Sequence, residues 1–378
     1  MFKLAFSPPR LTFSPMSLPD LIGHREARKR LGQAAHADRL AQVLLLTGPA
    51  GVGKQRFALW LAQLAFCERR EPEPCGQCRA CRLVGGLSHP DLHWFVPIPR
   101  PKAGDPDKQI EEAAETLAEV MEERRQRPLY AAPDGMASHP MASVRLLQRR
   151  AALTAVEGGR RVFIVGEADR LVPQESSPEA ANALLKLLEE PPAGSLFVLT
   201  TIDPRRVLPT IRSRTVPVRL QRLSDDEVRT FLRGRSELSL APAELEERVR
   251  LAEGSIGLAL AVGEGTGAAY RAAEELLEAV AKGRGPMLER ALRQPAYAAR
   301  GEFAAMLDAL ADTLGEAARG ALGQPVRRPV PPALARAGRP DRLLQALERV
   351  AEAREAAAGN VNPQLLLAVL GAELAEVL

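Results

Sequence analysis

The segment Gly-Pro-Ala-Gly-Val-Gly-Lys-Gln, from Gly48 to Gln55, follows the pattern G-x-x-x-x-G-K-[ST] in every position except the last. In that pattern the glycines let backbone N–H groups surround phosphate oxygens, which the lysine also reaches. The closing Ser or Thr holds Mg²⁺ through its hydroxyl, and this chain has Gln55 there. A strand precedes such a loop and a helix follows it, so the segment predicts an α/β domain. The candidate phosphate-binding residues are Gly48, Gly51, Gly53 and Lys54.

Five apolar runs of strand length occur in the first part of the chain, at 43–47, 92–96, 162–165, 196–200 and 216–220. Segments of helix length, such as 54–66 and 178–190, separate these runs. Strands that alternate with helices are typical of a mostly parallel sheet. We therefore expect an α/β domain over residues 17–222, preceded by a disordered leader at residues 1–16.

A segment rich in proline and charge, residues 97–140, interrupts this alternation. Prolines disfavour regular structure at its start, and a charged run of helical character follows at 109–127. We interpret the segment as a surface insertion whose charged side chains form a solvated helix face.

Beyond residue 220 the strand-like runs stop and helical signals replace them. Ser224-Asp-Asp-Glu227 has the spacing of a capping box, and short helices are predicted at 243–252 and 255–262. Glycines at 263–267 indicate a linker. From residue 268 onward Ala, Leu, Glu and Arg recur at helical spacing, which predicts an all-helical domain of four or five helices.

The overall composition excludes few classes of function. The chain has 51 basic and 47 acidic residues, a net charge of +4 that neither requires nor excludes nucleic acid as a partner. No apolar run approaches the ~20 residues of a membrane span, and the N-terminus lacks the features of a signal peptide. We expect a cytoplasmic protein with no membrane contact.

All four cysteines of the chain fall between residues 67 and 81, at the spacing C-x₇-C-x₂-C-x₂-C. Four thiolates complete the tetrahedral shell of zinc and leave no open position, as in structural sites. A disulfide pair, an iron–sulfur cluster and unligated cysteines are the alternatives, and zinc is favoured over them. The expected ligands are Cys67, Cys75, Cys78 and Cys81, whereas His89 and His93 are expected to flank a strand.

Further motifs surround the loop and the cysteines. They are Asp20-Leu-Ile-Gly23, VFIVGEADRL at 162–171, NALLKLLEEPP at 182–192, Thr200-Thr201 and LPTIRSR at 208–214. Together with a phosphate loop, one helix and a Cys₄ group in that order, they resemble the bacterial clamp-loader ATPase family. The resemblance is strong over 17–264 and reaches the C-terminal region only through NVNPQ at 360–364. It implies an α/β P-loop AAA+ domain with an inserted zinc module at 67–81, a small helical lid at 223–264 and an all-α collar at 265–378.

Three positions depart from the active members of that family. Their second motif ends in Asp-Glu, where the aspartate positions the metal, and here the pair is Gly166-Glu167. Their lid carries an arginine in the pattern Gly-Ser-x-Arg, and here Gly257 stands in its place. With Gln55, these departures remove groups that manage Mg²⁺ and the γ-phosphate, on which phosphoryl transfer depends. The resemblance thus implies that the chain is no active ATPase and no polymerase, and leaves ATP binding open.

Arg214 closes the LPTIRSR segment, where the family projects an arginine finger into the nucleotide site of a neighbouring subunit. The other interpretation is that Arg214 pairs with a local carboxylate, and Arg212 is the nearest competitor for the role. Thr201 matches the family's sensor position, although threonine is common at the end of a strand. Lys54 either binds a nucleotide or lies solvated over a vacant loop.

The resemblance implies a clamp-loader subunit of the replicative DNA polymerase III holoenzyme that acts as a stator and supplies Arg214 in trans. Its implied partners are gamma/tau and delta subunits, and through the complex the sliding clamp and primer-template DNA. The alternative is a self-sufficient, gamma/tau-like ATPase. A third reading, a separate AAA+ helicase or remodelling subunit, is disfavoured by the Cys₄ group.

Overall fold

The computed structural model describes residues 18, 20–126, 137–157, 159–171, 179–235, 238–261, 266–296, 302–335, 339–358 and 361–378. The expected leader at 1–16 lies outside these residues, as do 263–265 of the expected linker. Two compact units are present. The first runs to residue 49 and continues through 53–131 and 137–221, and the second includes 50–52 and 222–378.

The first unit is built on a five-stranded sheet with the order β2-β3-β4-β1-β5. Its strands are β1 (Val43–Thr47), β2 (Leu92–Phe95), β3 (Arg161–Val165), β4 (Ser195–Thr201) and β5 (Val216–Arg219). Every neighbouring pair is parallel, which confirms the predicted parallel sheet. Its helices are α1 (Arg25–His36), α2 (Lys54–Phe66), α3 (Arg79–Gly85), α4 (Pro106–Gln126), α5 (Met141–Ala152), α6 (Glu179–Glu189) and α7 (Pro209–Arg212).

The central strands carry almost only apolar residues because helices cover both faces of the sheet. Every residue of β3 and β4 is buried, and the rings of Phe163 and Phe197 stack at 4.9 Å between centroids across the two strands. Parallel strands end at one edge of the sheet, so the segments after β1, β3 and β4 emerge side by side. The phosphate-type loop, Glu167 and Thr201 lie at that edge.

Helix α4 differs from the predicted solvated helix face. It buries Ile110, Ala113 and Leu117 in the apolar core of the first unit, together with the charged side chain of Arg124. The insertion also joins the fold through a two-residue antiparallel bridge between Ile98 and Ser138. The interpretation as a purely surface insertion is therefore wrong for this helix, because a charge-rich run still presents one apolar stripe at helical spacing.

The second unit is helical throughout the described residues. Its helices are α8 (Asp225–Arg233), α9 (Pro242–Ala252), α10 (Ile256–Ala261), α11 (Thr266–Ala281), α12 (Arg284–Leu292), α13 (Glu302–Ala321), α14 (Pro332–Ala335), α15 (Pro340–Ala358) and α16 (Pro363–Val377). The predicted capping box is present at Ser224 and Glu227. Thr266 and Gly267, which were expected in the linker, open α11 instead.

An apolar core extends from Ala273 to Leu374 and is formed by α11 to α16. The described part of this C-terminal region contains six helices, against four or five predicted, and α14 is a single turn. The Asn362 side chain accepts hydrogen bonds from the backbone N–H groups of Gln364 and Leu365, which explains the Asn-Pro start of α16. No described helix is long and apolar enough to span a membrane.

Candidate functional site

The phosphate-type loop adopts a backbone that only glycine allows at several positions. Gly51 and Gly53 have φ of 70° and 96°, in the left-handed region. A Cβ atom on Gly48 would lie 2.3 Å from the carbonyl oxygen of Leu220, so close approach of the chain also requires glycine there. The glycines that the pattern singled out are thus explained by geometry alone, whether or not a ligand binds.

Lys54 folds back onto its own loop. Its Nζ donates to the carbonyl oxygens of Gly48 at 2.8 Å and Pro49 at 2.6 Å. The side chain is 8% exposed, and burial lowers its pKa to about 8. Of the two interpretations of Lys54, the solvated lysine is therefore wrong, since the amine is buried and donates to the main chain.

Two of the three departures from the active pattern lie against each other. A Cβ atom on Gly166 would be 3.1 Å from Nε2 of Gln55. The long Gln55 amide thus reaches the position after β3 where the family carries its aspartate, and glycine leaves room for it. Nη1 of Arg124 donates to Oε1 of Gln55 at 3.2 Å. The two departures therefore form one packed arrangement with a third residue, Arg124.

Arg124 is 2% exposed although it lies on the charged helix α4. Its guanidinium carbon is 4.0 Å from the centroid of the Trp94 ring, a cation–π distance. Sequence reasoning missed this residue, although Arg124 lies two helical turns after Leu117 and therefore on the buried face of α4.

Glu167, the surviving acid of the second motif, is held by protein groups. Its carboxylate pairs with Arg170 at 2.9 Å, and its backbone N–H donates to Oγ1 of Thr200 at 3.0 Å. Burial raises the pKa of the Glu167 carboxyl, and the positive charges of Arg170, Arg124 and Lys54 act against that rise.

A second acid of the same motif, Asp169, was not among the predicted site residues. Its Oδ1 accepts the hydroxyl hydrogen of Thr201 at 2.7 Å, and both residues are buried. Thr201 therefore lies next to the motif at 162–171, where the sensor interpretation would put it. Its hydroxyl, however, donates a hydrogen bond to the Asp169 carboxylate of the same chain.

The residues at this edge do not fit a Mg²⁺ ion. Magnesium takes hard oxygen ligands in octahedral geometry, and the pattern supplies them from a hydroxyl and a carboxylate. Here the two positions carry Gln55 and Gly166, and the nearby carboxylates of Glu167 and Asp169 are paired with Arg170 and Thr201. We derive no metal-dependent step at this loop.

His139 supports the backbone at the same place. Its Nε2 lies 2.7 Å from the carbonyl oxygen of Gly166, and the ring is buried. Burial lowers the pKa of His139 to about 4, so the ring is neutral and Nε2 carries the hydrogen that the carbonyl accepts.

Gly257, the third departure, contacts residues 50–52 within the second unit. Its backbone N–H donates to the Gly51 carbonyl at 3.0 Å, and the Ser255 hydroxyl donates to the Ala50 carbonyl at 3.0 Å. A Cβ atom on Gly257 would lie 2.7 Å from the Cα atom of Gly51. Two backbones meet here, and no side chain fits between them.

We expect Gly257→Ala to lower the free energy of unfolding by about 1–3 kcal/mol, because both clashing groups are backbone and must shift. The matched control is Gly315→Ala in α13, where a new Cβ meets nothing within 4 Å. That change gains helix propensity without a clash and should stabilise by about 0.5–1 kcal/mol. Denaturant unfolding of both variants measures the difference, and equal stabilities would contradict this account of Gly257.

The four cysteines form one compact group. Their sulfur atoms all lie within 4.8 Å of one another, so the four residues could hold a metal ion. Backbone N–H groups of Cys75, Cys78 and Cys81 donate to the sulfur atoms of Cys67, Cys75 and Cys78. Hydrogen bonds from Cys78 and Gln77 lower the pKa of Cys75 to about 6, whereas burial raises the pKa of Cys81 above its ordinary value.

Neighbouring elements anchor the cysteine segment. Oε2 of Glu73 accepts from Nε1 of Trp60 at 3.1 Å and from Arg28 at 2.8 Å, which ties the segment to α2 and α1. The His89 ring stacks on Phe66 at 3.9 Å between centroids, and its Nδ1 accepts the Asp91 N–H. His93 stacks on Phe163 at 5.0 Å.

Arg214 lies directly after α7, whose Ile211 is fully buried and fixes the turn. Its Nε donates to Oε1 of Glu189 at 2.7 Å, and Nη1 donates to the Thr210 carbonyl at 2.7 Å. The local carboxylate of the second interpretation therefore exists and is Glu189, in the LEEPP segment. The pair is partly exposed, with 30% and 46% of the two side chains accessible, and such pairs are worth only about 0–1 kcal/mol. Arg214 can therefore exchange Glu189 for another anion at little cost.

Comparison with known proteins places these features in a family. The family model described as DNA polymerase III, delta subunit, matches residues 23–224, more than half of the chain. DNA polymerase III subunit delta' of Bacillus subtilis is 32% identical over 186 residues, which cover 49% of this chain and 44% of that protein. The subunit of the same name from Pseudomonas aeruginosa is 34% identical over 187 residues, 49% of this chain and 43% of that protein.

A relative of another type is also similar. DNA polymerase III subunit gamma/tau of Mycobacterium tuberculosis is 30% identical over 204 residues, which cover 54% of this chain and 28% of that protein. The matched region spans less than half the length of each of these three relatives.

Proposed function

The chain belongs to the DNA polymerase III delta subunit family, and from this premise we propose that it acts as the delta'-type subunit of a clamp loader. In this role it is a cytoplasmic stator that hydrolyses no ATP and completes the active site of a neighbouring gamma/tau subunit. The complex that it joins, with delta as a further subunit, would place the sliding clamp on primer-template DNA.

One contrast carries the proposal. At the phosphate-type loop the positions for the metal ligands hold Gln55 and Gly166, which pack together, and Gln55 accepts a hydrogen bond from Arg124. Arg214, by contrast, lies on an anchored turn with its guanidinium partly exposed and held by a weak surface pair. A chain that lacks groups for its own hydrolysis but presents an arginine fits a subunit that acts on its neighbour's nucleotide.

We further propose that the Cys₄ group holds zinc in a structural role. Four sulfur ligands leave no open position for a substrate, and tetrahedral S₄ sites are typical of zinc. The Cys₄ group begins at the end of α2 and is distant in sequence from Arg214. Its proposed role is to keep the segment after α2 folded.

The C-terminal helices are proposed to form the collar through which the subunits assemble. They expose large apolar side chains, which are common at protein interfaces. These are Leu288, Leu292, Leu344, Leu365 and Val369.

Reconstitution with gamma/tau and delta subunits tests the function. We expect the chain to be required for a stable complex and for clamp loading, as measured by light scattering and by transfer of labelled clamp to primed DNA. The isolated chain should release no phosphate above background. A rate on the order of 1 s⁻¹ from the isolated chain would instead support a gamma/tau-like ATPase, which the similarity to gamma/tau keeps as the second candidate.

A matched pair of variants tests the collar. Leu365→Asp places a charge on a side chain that is 63% exposed in α16, and it should abolish assembly without changing the stability of the isolated chain. Leu153→Asp alters a side chain that is 64% exposed in the first unit and should leave assembly intact. Equal assembly of both variants would contradict the assignment of the collar.

A further inference from the structure

Arg124 brings a permanent positive charge to the place where this loop type would hold its metal. A guanidinium stays protonated at any pH that proteins meet. Its side chain is 2% exposed, and it reaches the loop helix from α4, a helix in the segment that was expected to lie at the surface. The buried charge is therefore a fixed part of the site.

The Arg124 guanidinium contacts an aromatic ring with one face and the phosphate-type loop with one N–H group. One face of the guanidinium lies 4.0 Å from the centre of the Trp94 ring, and Nη1 donates to the Gln55 amide oxygen at 3.2 Å. The other end of that amide lies 3.1 Å from the position of a Cβ atom on Gly166. Successive contacts thus connect Trp94, Arg124 and Gln55 to Gly166, which follows the end of β3.

Arg170 is the main cation beside Glu167, the acid next to Gly166, and the charge of Arg124 adds to it; both favour the ionised form of Glu167. In the active pattern a divalent ion is the cation near this carboxylate. Glu167 is partly buried and already pairs with Arg170, and the Arg124 guanidinium adds a second positive charge at this place without any ion from solution. The same positive charge repels a second cation that approaches the loop.

We propose that Arg124 is a built-in replacement for the divalent cation at this loop, so that the protein binds no Mg²⁺ there. A phosphate group that the loop takes is then bound without a metal ion. This inference concerns the chain by itself and does not depend on its role in a larger assembly.

Metal binding to the isolated, zinc-loaded protein tests the proposal directly. Mn²⁺, which replaces Mg²⁺ at such sites, is titrated and free Mn²⁺ is followed by electron paramagnetic resonance. We expect no bound Mn²⁺ at the protein, whereas one equivalent per chain would overturn the proposal.

Fluorescent ADP is titrated in parallel with Mg²⁺ and with EDTA, and a tenfold loss of affinity in EDTA would also overturn it. Equal affinity in both solutions, or binding in neither, agrees with it.

A double-mutant cycle tests the electrostatic role of Arg124. Arg124→Met removes one positive charge that acts on Glu167, which keeps its ion pair with Arg170, and Glu167→Gln removes the negative charge on which Arg124 acts, so each change should lower the melting temperature. We expect a drop on the order of 10 °C for Arg124→Met. The double variant should lose clearly less than the sum of the two single changes, since the attraction between the two charges can be lost only once.

Two results keep this cycle decisive. Arg145→Met removes an exposed arginine on α5 and should leave the melting temperature nearly unchanged. If the losses from Arg124→Met and Glu167→Gln simply add, Arg124 acts by packing and the proposal fails. If Arg124→Met does not fold, the metal titration of the unaltered protein decides alone.

Discussion

Arg214→Ala is expected to slow ATP hydrolysis at the neighbouring nucleotide site of the reconstituted complex by roughly 10³-fold or more, the effect typical of an arginine finger. The fork of a guanidinium spreads its charge over the oxygens of the transferring phosphoryl group. Pre-steady-state phosphate release measures the effect, since the phase that belongs to one site should disappear. Assembly should be unchanged, because the side chain is on an exposed turn and pairs only weakly with Glu189.

Three further variants sharpen this test. Arg212→Ala removes an exposed arginine two residues away and serves as the matched control, with near-normal hydrolysis expected. Arg214→Lys keeps the charge but loses the fork and should fall between the two. Glu189→Gln releases Arg214 from its local partner at 2.7 Å and should leave hydrolysis at least as fast as before. If Arg214→Ala and Arg212→Ala hydrolyse ATP equally well, Arg214 is not the finger.

Removal of metal from the Cys₄ group is expected to give the second large effect. We predict one equivalent of zinc per chain, and a loss of melting temperature on the order of 10 °C when it is stripped or when Cys81→Ser removes a buried ligand. The fifteen residues from Cys67 to Cys81 carry few apolar side chains, so a metal ion is the main source of order there. Calorimetry with metal analysis measures both quantities.

The control separates zinc from other effects of the chelator. Chelation should not lower the melting temperature of the Cys81→Ser protein further, and added zinc should restore the unaltered protein. An apo protein as stable as the metal-loaded one would contradict a structural site. The loss in free energy of unfolding should stay below the roughly 10–16 kcal/mol with which zinc-finger peptides bind zinc. Those peptides fold only with the metal, whereas both units of this chain also have apolar cores.

The strands were predictable because their signal is local. Runs such as Val43–Thr47 and Val216–Arg219 are short, apolar and separated by helices, and the structure places both in the sheet within one residue of the expected ends. The capping box of Ser224 and Glu227 was predictable for the same reason, because its two residues are three positions apart in the chain. The charged run on α4 misled, because its charges conceal a narrow apolar stripe at Ile110, Ala113 and Leu117, which is the face that meets the core.

The candidate site was only partly predictable. Gly51 and Gly53 follow from the loop pattern, and their left-handed backbone explains them. Asp169 could have been found, since it lies two residues after Glu167 in a motif that was already singled out. Glu189 lies in a recognised segment as well, but only the folded chain brings it to Arg214.

The sequence by itself determined the parallel sheet, the glycine loop, the cysteine cluster and the absence of the two metal ligands, because each depends on residues close together in the chain. The tertiary structure decided what fills the place of those ligands. Arg124 and Gln55 are 69 residues apart, and their contact depends on how α4 packs into the core of the first unit. Helical spacing places Arg124 on the buried face of α4, but only the folded chain shows which residue that face brings it to.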